Sequence, residues 1–226
     1  MKILGLIPAR GGSKGIPNKN RKLLGGKPLL QYTIETALAA TQLDRVVFSS
    51  EDEHLMQLAT QMGVEAPFKR PMALSEDTSG SLEVVQHALN SLAQEYDAVC
   101  LLQVTTPFRA KGLVDAAIKK FKTSGCDSLI TVQKVPHHYN PHWVFEAVDG
   151  TLKIATGDAT IIKRRQELPN TYIRDGAIYI TKTKVLLKQN SFFGETISYL
   201  ESDASSHINI DTMEDWERAE EIIKHL

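Results

Sequence analysis

The chain has 226 residues, 42% of them hydrophobic and 23% charged, with a formal net charge of −1. That length supports one sizeable core with room for a small appendage. The near-neutral balance argues against a dedicated nucleic-acid binder, and no apolar run approaches the ~20 residues that span a bilayer. Two cysteines, Cys100 and Cys126, make no disulfide framework and, in apolar segments, read as buried free thiols. The start has a short apolar run followed by Arg10 and no cleavage pattern, so a cytoplasmic protein is expected.

In chain order, "KILGLI" (2–7) predicts a first strand and "LLQYTIETALAA" (29–40) a helix. "RVVFSS" (45–50) reads as a strand, and "EHLMQLATQMG" (53–63) as a helix stopped by Gly63. "SLEVVQHALNSLAQEY" (81–96) is helical and "AVCLLQVT" (98–105) a strand. "GLVDAAIKKFKTSG" (112–125) is a helix ending at Gly125, followed by the strand "SLITVQKV" (128–135). The strands are continuous apolar runs rather than alternating ones, which predicts a sheet covered on both faces. Strand–helix repetition predicts parallel pairing with right-handed crossovers. From His137 to Ile173 the rhythm breaks: Asp149-Gly150 separates two alternating runs as in a β-hairpin, and "TIIKRRQELPNTYI" is mixed and polar. The segment reads as an excursion from the main sheet. "GAIYIT", "TKVLLKQN", "TISYL", "HINI" and a last helix from Met213 then restore the rhythm.

After the first strand comes "IPARGGSKGIPNKN" (7–20), with three glycines and the cations Arg10, Lys14 and Lys19. A Gly-rich turn behind a strand offers backbone N–H groups to an anion. Pro8 and Pro17 stiffen its ends. The spacing matches neither G-x-x-x-x-G-K-S/T nor G-x-G-x-x-G.

This loop resembles that of the CMP-sialic acid synthetases, or acylneuraminate cytidylyltransferases: Ala9, Arg10, Ser13, Lys14, Gly15, Lys19 and Asn20 stand in an A-R-x-x-S-K-G-x-x-x-K-N pattern. "RPMALSEDTSGS", "LLQVTTPFR", "RRQELP", "GAIYI", "NSFF" and "INIDTMEDW" follow in the family's order along nearly the whole chain. The resemblance implies a Rossmann-like α/β nucleotidyltransferase domain over 1–226, with a mostly parallel central sheet. It implies that 137–173 forms an inserted dimerisation arm, that the protein is a homodimer, and that Arg165 acts in the partner's pocket. It further implies that CTP and a nonulosonic acid (N-acetylneuraminic, legionaminic or pseudaminic) give a CMP-sugar and pyrophosphate with Mg²⁺ or Mn²⁺, with no nucleic-acid or membrane partner. Two alternatives stand beside this: another sugar nucleotidyltransferase (CMP-Kdo or sugar-1-phosphate type), and a non-catalytic nucleotide-binding protein. "NSFF" disfavours Kdo, which has no acylamino group.

The chemistry joins a hindered anomeric hydroxyl to a tetra-anionic triphosphate, so neutralisation and positioning dominate. By resemblance, Arg10, Lys14 and Lys19 act on the phosphates. Ala9, Gly12, Ser13, Asn20, Arg70 and Ser81 also face the nucleotide, although Ser81 equally suits a helix N-cap with Glu83 behind it. Gln103, Arg174, Tyr179, Phe192 and Phe193 face the sugar acid, the two phenylalanines lining the acylamino pocket. Arg109 holds either substrate or a loop carboxylate.

Two departures stand out. The family's D-I-D metal pair is "NID" here, leaving Asp211 as the charged ligand with Asn209 beside it; Asp211 also suits a helix cap through Glu214. In "YIRDG", Arg174 lies one place closer to Gly176 than in the best-known family members, which on a strand reverses its face. Either a local bulge compensates, or Lys163, Arg164 or Arg165 holds the substrate carboxylate. Asp175 stands where an amide is usual. His137, His138 and His142 match no common zinc spacing and read as solvated or substrate-facing.

Overall fold

The computed structural model describes residues 1–76 and 78–225. Asp77 of the "RPMALSEDTSGS" stretch and Leu226 at the end of the last predicted helix lie outside the described residues. The first predicted strand, β1 (Ile3–Pro8), is followed by the short strands β2 (Leu23–Leu24) and β3 (Lys27–Pro28), then α1 (Leu29–Ala39), β4 (Arg45–Ser49) and α2 (Glu53–Gln61). Next come α3 (Ser81–Ser91), β5 (Ala98–Leu101), α4 (Leu113–Ser124) and β6 (Ser128–Lys134). The hairpin strands β7 (Phe145–Val148) and β8 (Thr151–Ile154) precede β9 (Tyr172–Lys182), α5 (Thr183–Lys188), β10 (Ile197–Glu201) and α6 (Met213–Ile223).

Six strands form one sheet in the order β10-β6-β9-β5-β1-β4. β1 pairs in parallel with β4 and β5, and β10 with β6. β9 runs antiparallel to both neighbours, β5 and β6. The sheet is thus mostly parallel with one reversed strand in its middle, which apolar patterning does not reveal.

Alternation along the strands sends side chains to both faces. Leu4, Leu6, Val47, Val99, Leu101 and Tyr179 pack with Val85 and Ala88 of α3 and Leu186 of α5. Ile3, Ile7, Phe48, Cys100 and Ile180 pack on the other side with Leu30 and Ile34, Leu55, Phe121 and Trp216 from α1, α2, α4 and α6. Both faces are covered, as continuous apolar strands require.

Several boundaries differ from expectation. α3 ends at Ser91, because the chain turns at extended Leu92 to bring buried Tyr96 under β5. "HINI" is not a strand: it makes a backbone bond from Ile210 N–H to the Thr105 carbonyl (2.8 Å) and buries Ile208 and Ile210. Cys100 is buried, and burial pushes its thiol pKa up to about 12. Cys126 is only half-buried, because it follows the C-cap of α4. β7 and β8 pair antiparallel around Asp149-Gly150, both with positive φ, the hairpin geometry expected there. His142 bonds Asp158 through Nδ1 (2.7 Å), and His137 stacks edge-on against Trp143. No helix among the described residues is long and apolar enough to cross a membrane.

Candidate active site

The carboxyl ends of β1, β4 and β5 open at one edge of the sheet, where open α/β folds bind ligands. A cleft of about 280 Å³ lies there, reached from the opening loop by Ala9, Arg10, Ser13, Lys19 and Asn20. Arg70, Ser81, Gln103 and Asp211 also line it. Four segments distant in sequence therefore meet at one place.

The opening loop is braced from below by groups that local patterning does not single out. Glu51, buried just past β4, accepts from Gly11 N–H (2.7 Å) through Oε1 and from the Arg70 guanidinium (2.9 Å) through Oε2. Arg70 also donates to the Ala9 carbonyl (3.3 Å) and to Ser75 Oγ (3.0 Å). Burial works to raise the Glu51 pKa, but the bonds from Gly11, its own backbone, Arg70 and Ser75 together hold it below the usual range. Burial pulls Arg70 the other way from its ordinary value, against the opposing charge of Glu51. The Gly11 N–H is thus spent on the protein and is not among the donors presented to an anion, unlike the general expectation for this loop. Gly12 has open space around it. Lys14 is exposed on the loop and does not line the cleft wall.

The other end of the loop is tied to the Asp211 segment. A Cβ on Gly15 would overlap the Asp211 carbonyl, so only glycine permits this approach. Lys19, nearly buried, donates to the Ile210 carbonyl (2.6 Å) and to Asp211 Oδ1 (3.0 Å). Asn20 donates to the Arg10 carbonyl (2.8 Å). Asn209 gives its side-chain amide to Asp211 Oδ2 (2.5 Å). Asp211 is not the cap of α6: Thr212 accepts from Asp215 N–H, and Asp215 accepts in return from Thr212 and Asp211 N–H (2.9 and 3.1 Å). Its carboxylate therefore stands on the cleft wall, 60% exposed. Among the described residues no group of three His, Cys, Asp or Glu is arranged to hold a metal by itself. One exposed carboxylate beside an amide fits a hard cation that brings most of its oxygen ligands with a phosphate.

A second pocket of about 260 Å³ adjoins the first, and Ser81 and Gln103 line both. Leu82, Leu101, Tyr179, Phe192 and Phe193 make its aromatic and aliphatic walls, and Arg174 is the one cation among its lining residues. Tyr179 is nearly buried, and burial raises its phenol pKa while neighbouring Arg174 pulls it down. Ser81 is not the cap of α3. Gly80 takes that place, and its N–H donates to Glu83 (2.7 Å), leaving the Ser81 hydroxyl at the junction of the pockets.

Arg165 and Arg109 line neither cleft, and neither do Gly12, Lys14 and Asn209. Arg165 lines a separate pocket of about 320 Å³ with Lys134, His137 and Asn140. Arg109 makes its bonds inside the fold: it donates to Thr33 Oγ1 (3.0 Å), the Gln103 carbonyl (2.6 Å) and the Ala177 carbonyl (2.9 Å). Burial brings its pKa down to about 10, still cationic at neutral pH. The Asp175 carboxylate is buried and bonded to Thr131, Ala177 and Ser202, and it lines neither cleft.

Known proteins resemble this chain along its length. The model of a family described as cytidylyltransferase matches residues 4–222. A pseudaminic acid cytidylyltransferase of Campylobacter jejuni is 35% identical over 99% of this chain and 97% of its own. A CMP-N,N'-diacetyllegionaminic acid synthase of Legionella pneumophila is 33% identical over the same shares. Among solved structures, a CMP:2-keto-3-deoxy-manno-octonic acid synthetase complexed with CTP superimposes with a TM-score of 0.75 over 100% of this chain and 99% of that one. At 19% identity this is a likeness of fold.

Proposed function

The chain belongs to the cytidylyltransferase family, and from that premise we propose that it joins CTP to a nonulosonic acid, giving the CMP-sugar and pyrophosphate. One observation carries the reading: a polar, cationic cleft and an aromatic pocket with a single lining arginine share a wall at Ser81 and Gln103. The first suits a nucleoside triphosphate and the second an acylated sugar acid, so their junction is where the two would meet.

In this reading the triphosphate lies along the opening loop. Arg10 and Lys14 neutralise its charge, and Ser13 and Asn20 fix the loop's shape. Arg70 and Ser81 face the nucleoside, and Ala9 and Gly12 let the backbone approach. Arg174 holds the carboxylate of the acid, Gln103 orients its anomeric centre, and Tyr179, Phe192 and Phe193 enclose its acylamino group. The anomeric hydroxyl attacks the α-phosphorus. The new P–O bond forms as the bond to the β-phosphate oxygen breaks, the hydroxyl proton is released and pyrophosphate departs. Fixed cations lower this barrier because they need no reorganisation when charge shifts. Asp211, with the side-chain carbonyl of Asn209, would hold Mg²⁺ or Mn²⁺; such an ion supplies further neutralisation of the triphosphate. Lys19, paired with Asp211, keeps that carboxylate in place until the nucleotide enters.

Residues 137–173 serve as an arm that pairs two copies and carries Arg165 into the partner's sugar pocket. Exposed Tyr139, Val144, Phe145, Leu152 and Ile161 on this segment support that role. The test is product analysis by mass spectrometry with CTP, Mg²⁺ and a panel of neuraminic, legionaminic, pseudaminic and Kdo acids together with a sugar-1-phosphate. A CMP-nonulosonate with stoichiometric pyrophosphate is expected. Activity with Kdo or a sugar-1-phosphate alone would replace the reading, and absence of pyrophosphate would leave a nucleotide-binding protein.

A further inference from the structure

Arg174 and Tyr179 are five residues apart on β9, and on a regular strand an odd separation sends side chains to opposite faces. Both nevertheless line the aromatic pocket. The register of β9 against β6 explains this. Tyr179 pairs with Ile130 and Arg174 with Val132, so two steps on β6 match five on β9, leaving three extra residues in a bulge. Ile130 and Val132 share a face, and so do their partners. The bulge thereby puts Arg174 on the same face as Tyr179, where a regular strand would not.

The bulge is closed by a buried carboxylate. Asp175 Oδ1 accepts from Thr131 Oγ1 (2.5 Å) and Ala177 N–H (2.8 Å), and Oδ2 accepts from Ser202 Oγ (2.6 Å). Thr131 Oγ1 itself accepts from Ile178 N–H (2.9 Å), which directs its proton to Asp175. Three donors from β6, β9 and the segment after β10 thus converge on one acceptor-only group. Gly176 turns the chain at φ 78°, and a Cβ there would lie 3.3 Å from both Gln103 Oε1 and Thr106 Oγ1. Arg109 clamps the Ala177 carbonyl to the Gln103 carbonyl. The bulge is therefore in contact with, or part of, the elements that carry Arg174, Tyr179 and Gln103.

We propose that Asp175 is a positioning residue for the acid substrate: its carboxylate closes the β9 bulge that sets Arg174, Tyr179 and Gln103 around one pocket. This rests on the sugar-acid reading of that pocket. Asp175 touches no substrate; it acts through its neighbours. The nucleotide cleft, built on the opening loop and Arg70, does not depend on the bulge except at Gln103.

The test compares Asp175→Ala, Asp175→Asn and Ser202→Ala. Amide hydrogen exchange at Ala177 and Ile178 reads closure of the bulge without turnover. Asp175→Ala is expected to speed exchange at both amides and to raise the KM for the acid at least about tenfold, with the CTP KM within about threefold. Asp175→Asn is expected to restore both, since its carbonyl keeps the Thr131 and Ala177 donors and its amide donates to Ser202. Ser202→Ala should shift the acid KM in the same direction by less. An unchanged acid KM in folded Asp175→Ala overturns the proposal, as does a parallel rise in both KM values or failure of asparagine to rescue. If Asp175→Ala does not fold, Ser202→Ala and Thr131→Val decide, and an unchanged acid KM in both overturns it. Wild-type protein that turns over none of the acids would overturn the functional reading instead, whereas an active wild type with an unaffected Asp175→Ala would overturn the positioning role alone.

Discussion

Replacing Glu51 with alanine removes the brace beneath the opening loop. The Glu51–Arg70 pair is 2.9 Å long, with side chains 8% and 4% exposed. Its loss leaves the Arg70 cation buried without that carboxylate and the Gly11 N–H without its acceptor. Breaking one side of a buried pair costs about 3–5 kcal/mol, because the remaining charge stays desolvated. At about 2–4 °C per kcal/mol in a domain of this size, the melting temperature should fall by roughly 6–20 °C. The CTP KM should rise, since the same residues shape the nucleotide cleft, while the acid KM holds. Glu51→Gln keeps an acceptor for Gly11 and should lose less. It also separates charge from hydrogen bonding through pH. The folded Glu51 pKa is lowered, so its stabilisation is present above the unfolded value of about 4.3 and fades as pH falls through the folded value. Wild type should therefore lose stability below about pH 4.3, and Glu51→Gln should lack that part of the loss. Thermal unfolding at pH 7 and at about pH 3, below the lowered range, with CTP kinetics at pH 7, measures all of this. A Glu51→Ala melting temperature within about 2 °C of wild type, with an unchanged CTP KM, would refute the brace.

Lys14→Ala should lower turnover by roughly 100- to 1000-fold with the fold intact, as expected for one lost transition-state donor; a rate within a few-fold of wild type would make Lys14 a solvated cation. Phe193→Ala should raise the acid KM by about one to two orders of magnitude while sparing CTP, because an aromatic wall that is exposed without ligand is buried on binding. Asp211→Asn should remove most activity in a folded protein, and Asn209→Asp should lower the Mg²⁺ concentration for half-maximal rate; an unchanged or higher Mg²⁺ requirement in Asn209→Asp places that residue away from the metal. Leu152→Asp, on the exposed hairpin, should shift sedimentation from dimer toward monomer, and an unaltered sedimentation coefficient would take the arm out of the interface.

Much of the fold follows from local pattern. Runs such as "KILGLI" and "AVCLL" are apolar on both alternating faces, and that alone calls for a covered sheet. Asp149-Gly150 accounts for the hairpin, and Gly125 for the end of α4, because both are matters of a few consecutive residues. The motifs also named residues that the fold gathers, since Arg10, Arg70, Gln103 and Asp211 line one cleft. Three things were decided only in tertiary structure. The direction of β9 depends on which neighbours it finds, not on its own composition. The face of Arg174 depends on a bulge held by Thr131 and Ser202, 44 and 27 residues from Asp175 along the chain. Glu51 shows no local signal at all: its partners Gly11 and Arg70 lie 40 and 19 residues away, and only the sheet brings them together. Periodicity and turn chemistry act over a handful of residues, whereas a buried charge is defined by what surrounds it in space.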